Sequence, residues 1–130
     1  MTTDIVCANA LIIRDGQILL TREAATSAYY LPGGKVMAGE TLPQALKREL
    51  NEELTLDYQE NQFQAAFQQI GPAYNQPTKR VVLNCYFIPV ATAYQVGAEV
   101  YDYRWCELQS KNVAPVVQQA LHDHAWIFAR

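Results

Sequence analysis

No two of the three cysteines, Cys7, Cys85 and Cys106, stand at C-x-x-C spacing, and their number is odd. That pattern argues against a zinc cluster and against a disulfide framework. Each cysteine lies in an apolar, strand-like run and is expected to be a buried, reduced thiol. Basic residues are also few: ten Lys and Arg against thirteen Asp and Glu, a net charge of −3 and a pI near 5.3. This is not the footprint of a protein that grips a nucleic-acid backbone, so no polymer of that kind is expected as a partner. A small phosphate-bearing substrate stays open, provided a bound cation supplies the positive charge. The N-terminus has no basic region followed by a long apolar run. Neither a signal peptide nor a membrane span is read there, and a cytoplasmic protein without a membrane partner is expected. There is no internal repeat, no low-complexity tract and no block of like charge. What is present is 130 residues, 50% hydrophobic, enough for one packed core and one domain spanning 1–130.

The apolar run "IVCANALII" (5–13), the turn "DGQ" and the run "ILLT" (18–21) read as a hairpin with an Asp-Gly turn. "SAYYLPGGK" ends in Pro32, Gly33 and Gly34, which punctuate a loop. A helix then starts. Thr41 and Gln44 form a capping-box pattern, and Pro43 falls in the first turn, where a missing N–H does no harm. Strands are expected over 63–71, 79–90 and 101–108, separated by "GPAYNQPT" and "ATAYQVGAEV", with a closing helix over 114–128. Strands and helices mix without regular alternation, which indicates α+β or a mixed-sheet sandwich.

The stretch "RELNEE" (48–53) places three carboxylates, Glu49, Glu52 and Glu53, within five residues, where like charges repel. On a helical wheel with Leu42 at zero, Leu46, Leu50 and Leu54 fall at about 40°, 80° and 120°, and Ala45 at about 300°. Glu49, Glu52 and Glu53 fall at about 340°, 280° and 20°. A merely solvated acidic face would lie opposite the leucines. These acids lie on the apolar arc or at its margin. Partly buried carboxylates must be paired or must coordinate a metal. Arg48 is the one adjacent base. A divalent cation would offset all three charges, and hard oxygen ligands suit Mg²⁺ or Mn²⁺.

From Gly34 to Leu56 the chain reads "GKVMAGETLPQALKRELNEELTL". This resembles the box of the Nudix hydrolase superfamily (MutT-like), G-x5-E-x7-R-E-U-x-E-E-x-G-U with U a bulky aliphatic residue. Gly34, Glu40, Arg48, Glu49, Leu50, Glu52, Glu53 and Leu56 match its fixed positions. Thr55 stands where the family has glycine. That glycine serves the turn at the helix end rather than the chemistry.

The resemblance implies an α/β/α sandwich around a mixed sheet, with a loop–helix–loop at the box and a C-terminal helix. It implies hydrolysis of the pyrophosphate bond of a nucleoside diphosphate linked to another group, with Mg²⁺ (Mn²⁺ as substitute). Glu49 and Glu53 would be direct metal ligands, with Glu52 close behind and the Gly33 carbonyl a further ligand. Arg48 would hold a glutamate in position, and Glu40 would have a structural role in the loop. Gly34, Lys35 and Arg22 are expected on the substrate side. The general base is either Glu53 or a glutamate on a later loop, for which Glu99 has a suitable place; Asp102 and Glu107 are weaker alternatives.

Other residues carry less. His122 and His124, two apart on a helix, do not share a face, so no metal site is expected of them. Tyr74, Tyr103 and Trp105 could stack on a base but are expected as core or surface residues. Lys79 and Arg80 are as readily strand-edge charges. Pro72 and Tyr74 lie at spacings from the box that point to different substrates, so neither is used. A chain this compact favours a small nucleotide such as a (d)NTP, acting as monomer or homodimer. ADP-ribose or another nucleotide derivative is the alternative substrate, and a non-catalytic nucleotide sensor is the alternative class.

Overall fold

The computed structural model describes residues 3–130, so the first two residues of the N-terminal segment read above lie outside it. Strand β1 (Thr3–Leu11) runs at the centre of a four-stranded sheet with β4 (Gly33–Lys35), β5 (Gln64–Ala73) and β6 (Gln76–Phe87), in the order β4-β1-β6-β5. β1 pairs parallel to β6 and antiparallel to β4, so the sheet is mixed. A second, antiparallel sheet holds β2 (Ile13–Arg14), β3 (Gln17–Arg22) and β7 (Asp102–Cys106), in the order β2-β3-β7. Helix α1 (Leu42–Leu54) covers one side and α2 (Pro115–Asp123) the other. Among the described residues, no helix is long and apolar enough to cross a membrane.

Side-chain alternation along the strands builds both layers. Cys7 and Leu11 of β1 join Ile18 and Leu20 of β3 in the core under Val116, Val117 and Leu121 of α2. Ala8 and Ala10, with Ile12 just beyond the strand and Leu19 of β3, face Ala45, Leu46, Leu50 and Leu54 of α1. The small alanines let α1 approach the sheet closely. Each fully buried leucine of α1 contributes about 1.5–3 kcal/mol. The α/β/α sandwich is therefore the fold, and all three cysteines are free and buried within it.

Local signals act as their chemistry dictates. Asp15 and Gly16 both take positive φ (52° and 75°), which a two-residue hairpin of this twist requires. The Thr41 hydroxyl accepts from the Gln44 N–H at 3.2 Å, and the Gln44 side chain accepts from the Thr41 N–H at 2.9 Å. At its other end α1 closes on Thr55, at φ 57° and ψ 41°, and the Leu56 N–H returns to the Leu50 carbonyl at 3.2 Å.

Four sequence expectations are corrected. The single strand over 5–13 is split: the chain leaves the first sheet at Leu11 and enters the second at Ile13, which is how the two sheets join. "GPAYNQPT" is no loop, because β5 and β6 extend to a two-residue turn at Tyr74–Asn75, with Asn75 at φ 57°. Pro72 is tolerated in β5 because that strand is an edge. The helix expected over 114–128 ends at Asp123. His124 leaves helical geometry to stack on Phe67 (centroids 3.7 Å apart), and Ala125–Ala129 continue as a 3₁₀ turn that buries Ile127. Finally, the loop at Gly33 and Gly34 includes a short strand, β4, paired to Cys7–Asn9.

Gly33 takes φ 123°, and a Cβ there would overlap the Ala8 carbonyl oxygen of β1. Gly33→Ala is expected to destabilise the fold by about 2–4 kcal/mol. Urea unfolding checks this; a loss under about 0.5 kcal/mol contradicts it.

Candidate active site

The box helix and β4 meet at the glycine pair. The Gly33 N–H donates to Glu53 Oε1 at 2.8 Å. A Cβ on Gly34 would stand 2.8–3.0 Å from the Glu49 carboxylate. Two glycines therefore let a strand backbone close directly onto two carboxylates. Glu49 keeps 17% of its side-chain surface and Glu52 keeps 56%, so the wheel's ordering holds: Glu49 is inside and Glu52 at the rim.

Arg48 ties the acids together. Its Nε donates to Glu40 at 2.7 Å, and its Nη1 donates to Glu49 at 2.8 Å and to Glu52 at 3.4 Å. Its Nη2 donates to Glu40 at 2.9 Å and to the Lys35 carbonyl at 3.2 Å. Glu40 also accepts the Met37 N–H at 2.8 Å. The Arg48 guanidinium and that N–H hold the Glu40 carboxyl down at about 2. Among the described residues no three His, Cys, Asp or Glu side chains converge as a metal cluster. Glu49 is turned to Arg48, and Glu53 to Gly33.

Glu53 is the unusual group. Burial raises its carboxyl from 4.5 to about 8; the Gly33 N–H opposes this, and the charges of Glu49, Glu23 and Glu52 add to it. An acid this withdrawn, beside other acids, keeps its proton to about 8 unless a positive charge stands nearby. Its neighbours are hard oxygen donors, so the residues present fit a divalent cation of the Mg²⁺ class.

Glu49, Glu52 and Glu53 line a cavity of about 820 Å³ together with Gly33, Gly34 and Lys35. That volume lies in the range of small-ligand sites. Ile5 and Cys7 of β1, Tyr30, Val81 and Ala73 give it an apolar wall, and Tyr74 lines its edge. The loop after β6 brings Glu99 into the cavity lining. Arg22 also lines the cavity, but its guanidinium is occupied: Nε and Nη2 donate to Asp102 at 2.8 and 2.9 Å, and Nη1 to the Ala25 carbonyl. Asp102 is thereby held below its usual carboxylate range. Glu107 is not in the cavity lining. Tyr103 and Trp105 pack on Tyr94, outside it. Arg80 pairs with Asp4 at 2.9 Å.

Sequence reasoning missed Ile5, Cys7, Tyr30 and Glu23 as cavity residues. Ile5 and Cys7 share one face of β1, a signal the alternation carries. Nothing in the local sequence marks Tyr30 or Glu23, which reach the cavity through tertiary packing.

Residues 4–123 match the NUDIX domain. The chain belongs to the Nudix family. It is 34% identical over 113 residues to an 8-oxo-dGTP diphosphatase of Haemophilus influenzae, covering 82% of this chain and 79% of that one. Its fold is similar to that of a MutT protein from Methanosarcina mazei (TM-score 0.77, 22% identity, 94% and 93% of the two chains). It is also similar to a bifunctional NMN adenylyltransferase/ADP ribose pyrophosphatase from Francisella tularensis complexed with AMP and a Mn ion. There the TM-score is 0.72 at 18% identity, with 98% of this chain covering 43% of that one. This Nudix protein is a nucleotide pyrophosphohydrolase.

The Glu53 shift has a measurable consequence for the Nudix fold. In the unfolded chain this carboxyl ionises near 4.5; in the folded chain it keeps its proton to about 8. The folded state therefore holds more protons across that window, and stability falls as pH rises through it. The loss is absent below 4.5, complete above about 8, and on the order of several kcal/mol. With chelator present, Tm is expected to drop between pH 5 and 8.5, and Glu53→Gln is expected to remove most of that drop. Equal slopes for the two proteins contradict the assignment.

Proposed function

We propose that the protein hydrolyses the pyrophosphate bond of a small nucleoside triphosphate in a Mg²⁺-dependent reaction. An oxidised guanine deoxynucleotide is the first candidate, on the strength of the Haemophilus relative. The observation that carries the reading is that Glu49, Glu52 and Glu53 of the box together line a nucleotide-sized cavity, with Glu53 withdrawn beside Glu49.

Glu49, Glu53 and the Gly33 carbonyl would hold the cation, with Glu52 joining from the rim. When bound, such a cation neutralises phosphate oxygens and acidifies water. The chain does the rest. Arg48 fixes Glu49 through a 2.8 Å bond and is itself fixed by Glu40. Glu53, on the rigid helix, orients the attacking water and takes its proton. Lys35 lines the cavity from β4 and would meet the phosphates. The apolar wall of Ile5, Cys7, Tyr30 and Val81 receives the base, and Tyr74 lies where it can border it. Arg22 acts indirectly, by holding Asp102 and the start of the following loop. Glu99 contributes a charge to the cavity lining and is not the principal base.

A panel of nucleoside triphosphates, 8-oxo-dGTP and ADP-ribose, assayed for phosphate and pyrophosphate release, tests the reading. Turnover of a triphosphate with Mg²⁺, abolished by chelator, is the expected result. Preference for ADP-ribose selects the alternative substrate. Nucleotide binding without turnover selects the sensor. Glu53→Gln is expected to cost about 10³-fold or more in kcat, the range for a positioned base that also holds metal. Glu99→Gln is expected to cost about tenfold or less. A Glu53→Gln enzyme at near-native rate overturns the assignment.

A further inference from the structure

Thr55, the one departure from the box, sits in the left-handed region at φ 57° and ψ 41°. A β-branched residue rarely adopts that conformation, and glycine adopts it freely. What threonine has and glycine lacks is a hydroxyl. Thr55 Oγ1 donates to the Gln95 carbonyl at 2.8 Å, across forty residues of chain.

That bond is one of a set. The Gln95 N–H donates to the Leu54 carbonyl at 3.2 Å, and the Gly97 N–H donates to the Glu53 carbonyl at 2.8 Å. A Cβ on Gly97 would collide with the Glu52 carbonyl oxygen. The segment is therefore seated directly on the last turn of α1, and its Gln95 and Gly97 N–H groups satisfy carbonyls at the end of the helix from outside. At the segment's start the Tyr58 hydroxyl donates to the Pro89 carbonyl. At its end the Tyr101 N–H donates to the Arg22 carbonyl at 2.8 Å. Immediately after Gly97, Ala98 and Glu99 line the same cavity as Glu52 and Glu53.

We infer that Thr55 is a positioning residue: its hydroxyl latches the 89–101 loop to the C-terminal turn of the box helix and so sets Glu99 against the reaction site. The strained backbone is retained because the side chain makes a bond that glycine cannot. The kinetic half of the test rests on the nucleotide-hydrolase reading; the structural half does not.

The experiment compares Thr55→Gly, Thr55→Ser and wild type. Thr55→Gly removes the strain along with the hydroxyl, so its Tm is expected to stay level or rise. Its Gln95 and Gly97 amides are expected to exchange with deuterium about tenfold faster, as local opening of the loop permits. Thr55→Ser keeps the hydroxyl and is expected to protect those amides as wild type does. In turnover, Thr55→Gly is expected to lower kcat about as much as Glu99→Gln, with the Mg²⁺ requirement unchanged. The double variant is expected to be no slower than Glu99→Gln alone, because both remove the same coupling. Unchanged exchange at Gln95 and Gly97 in Thr55→Gly overturns the latch. Additive losses in the double variant overturn its action through Glu99. If wild type turns over no nucleotide, the functional reading fails while the exchange comparison still decides the latch.

Discussion

The structure depends on one close approach, the contact of the β4 backbone with the inner face of α1. Three conditions meet there. Ala8 and Ala10 keep β1 thin enough for the helix to pack down with its leucines fully buried. Gly33 lacks the Cβ that would strike Ala8, and Gly34 lacks the one that would crowd Glu49. The Gly33 N–H is then free to bond the Glu53 carboxylate. A larger side chain at any of these places would separate strand from helix and remove the bond between the Gly33 N–H and Glu53.

Because the approach is close, charge becomes the governing problem. The cavity is lined by Glu23, Glu49, Glu52, Glu53 and Glu99 against Lys35 and Arg22, and Arg22 is already paired with Asp102. A polyphosphate entering such a site meets repulsion unless positive charge arrives with it. Arg48 is not that charge. Its guanidinium is spent on Glu40, Glu49 and Glu52, and it sets where they point. The arrangement thus separates two tasks. Arginine orients the acids, and in the proposed reaction the substrate's neutralisation would fall to a cation held by them.

Much of this was legible in the residues because the box is local. Leucine periodicity, the Thr41–Gln44 cap and the placement of Glu49 and Glu53 on the apolar arc all follow from helix geometry within fifteen residues. The Asp15-Gly16 hairpin was legible for the same reason. What the sequence hid is what depends on partners far along the chain. β4 looked like a loop because two glycines give no strand signal; its identity as a strand comes from pairing with β1. The terminal helix looked continuous because nothing local shows His124 leaving it to meet Phe67. Arg22, expected on the substrate side, lines the cavity, but its pairing with Asp102, eighty residues along the chain, has no local signal. The roles of Glu53 and Glu99 turn on reaction chemistry, which placement alone does not assign.

Burial and the neighbouring acids hold the Glu53 carboxyl well above the usual glutamate range, at about 8. Glutamate carboxyl carbons report this directly by nuclear magnetic resonance, with Glu53 assigned by comparison with Glu53→Gln. A titration midpoint near 8 in the presence of chelator, shifting down by more than one unit when Mg²⁺ is added, is the expected result. A midpoint near 4.5 in chelator, unmoved by Mg²⁺, would contradict it.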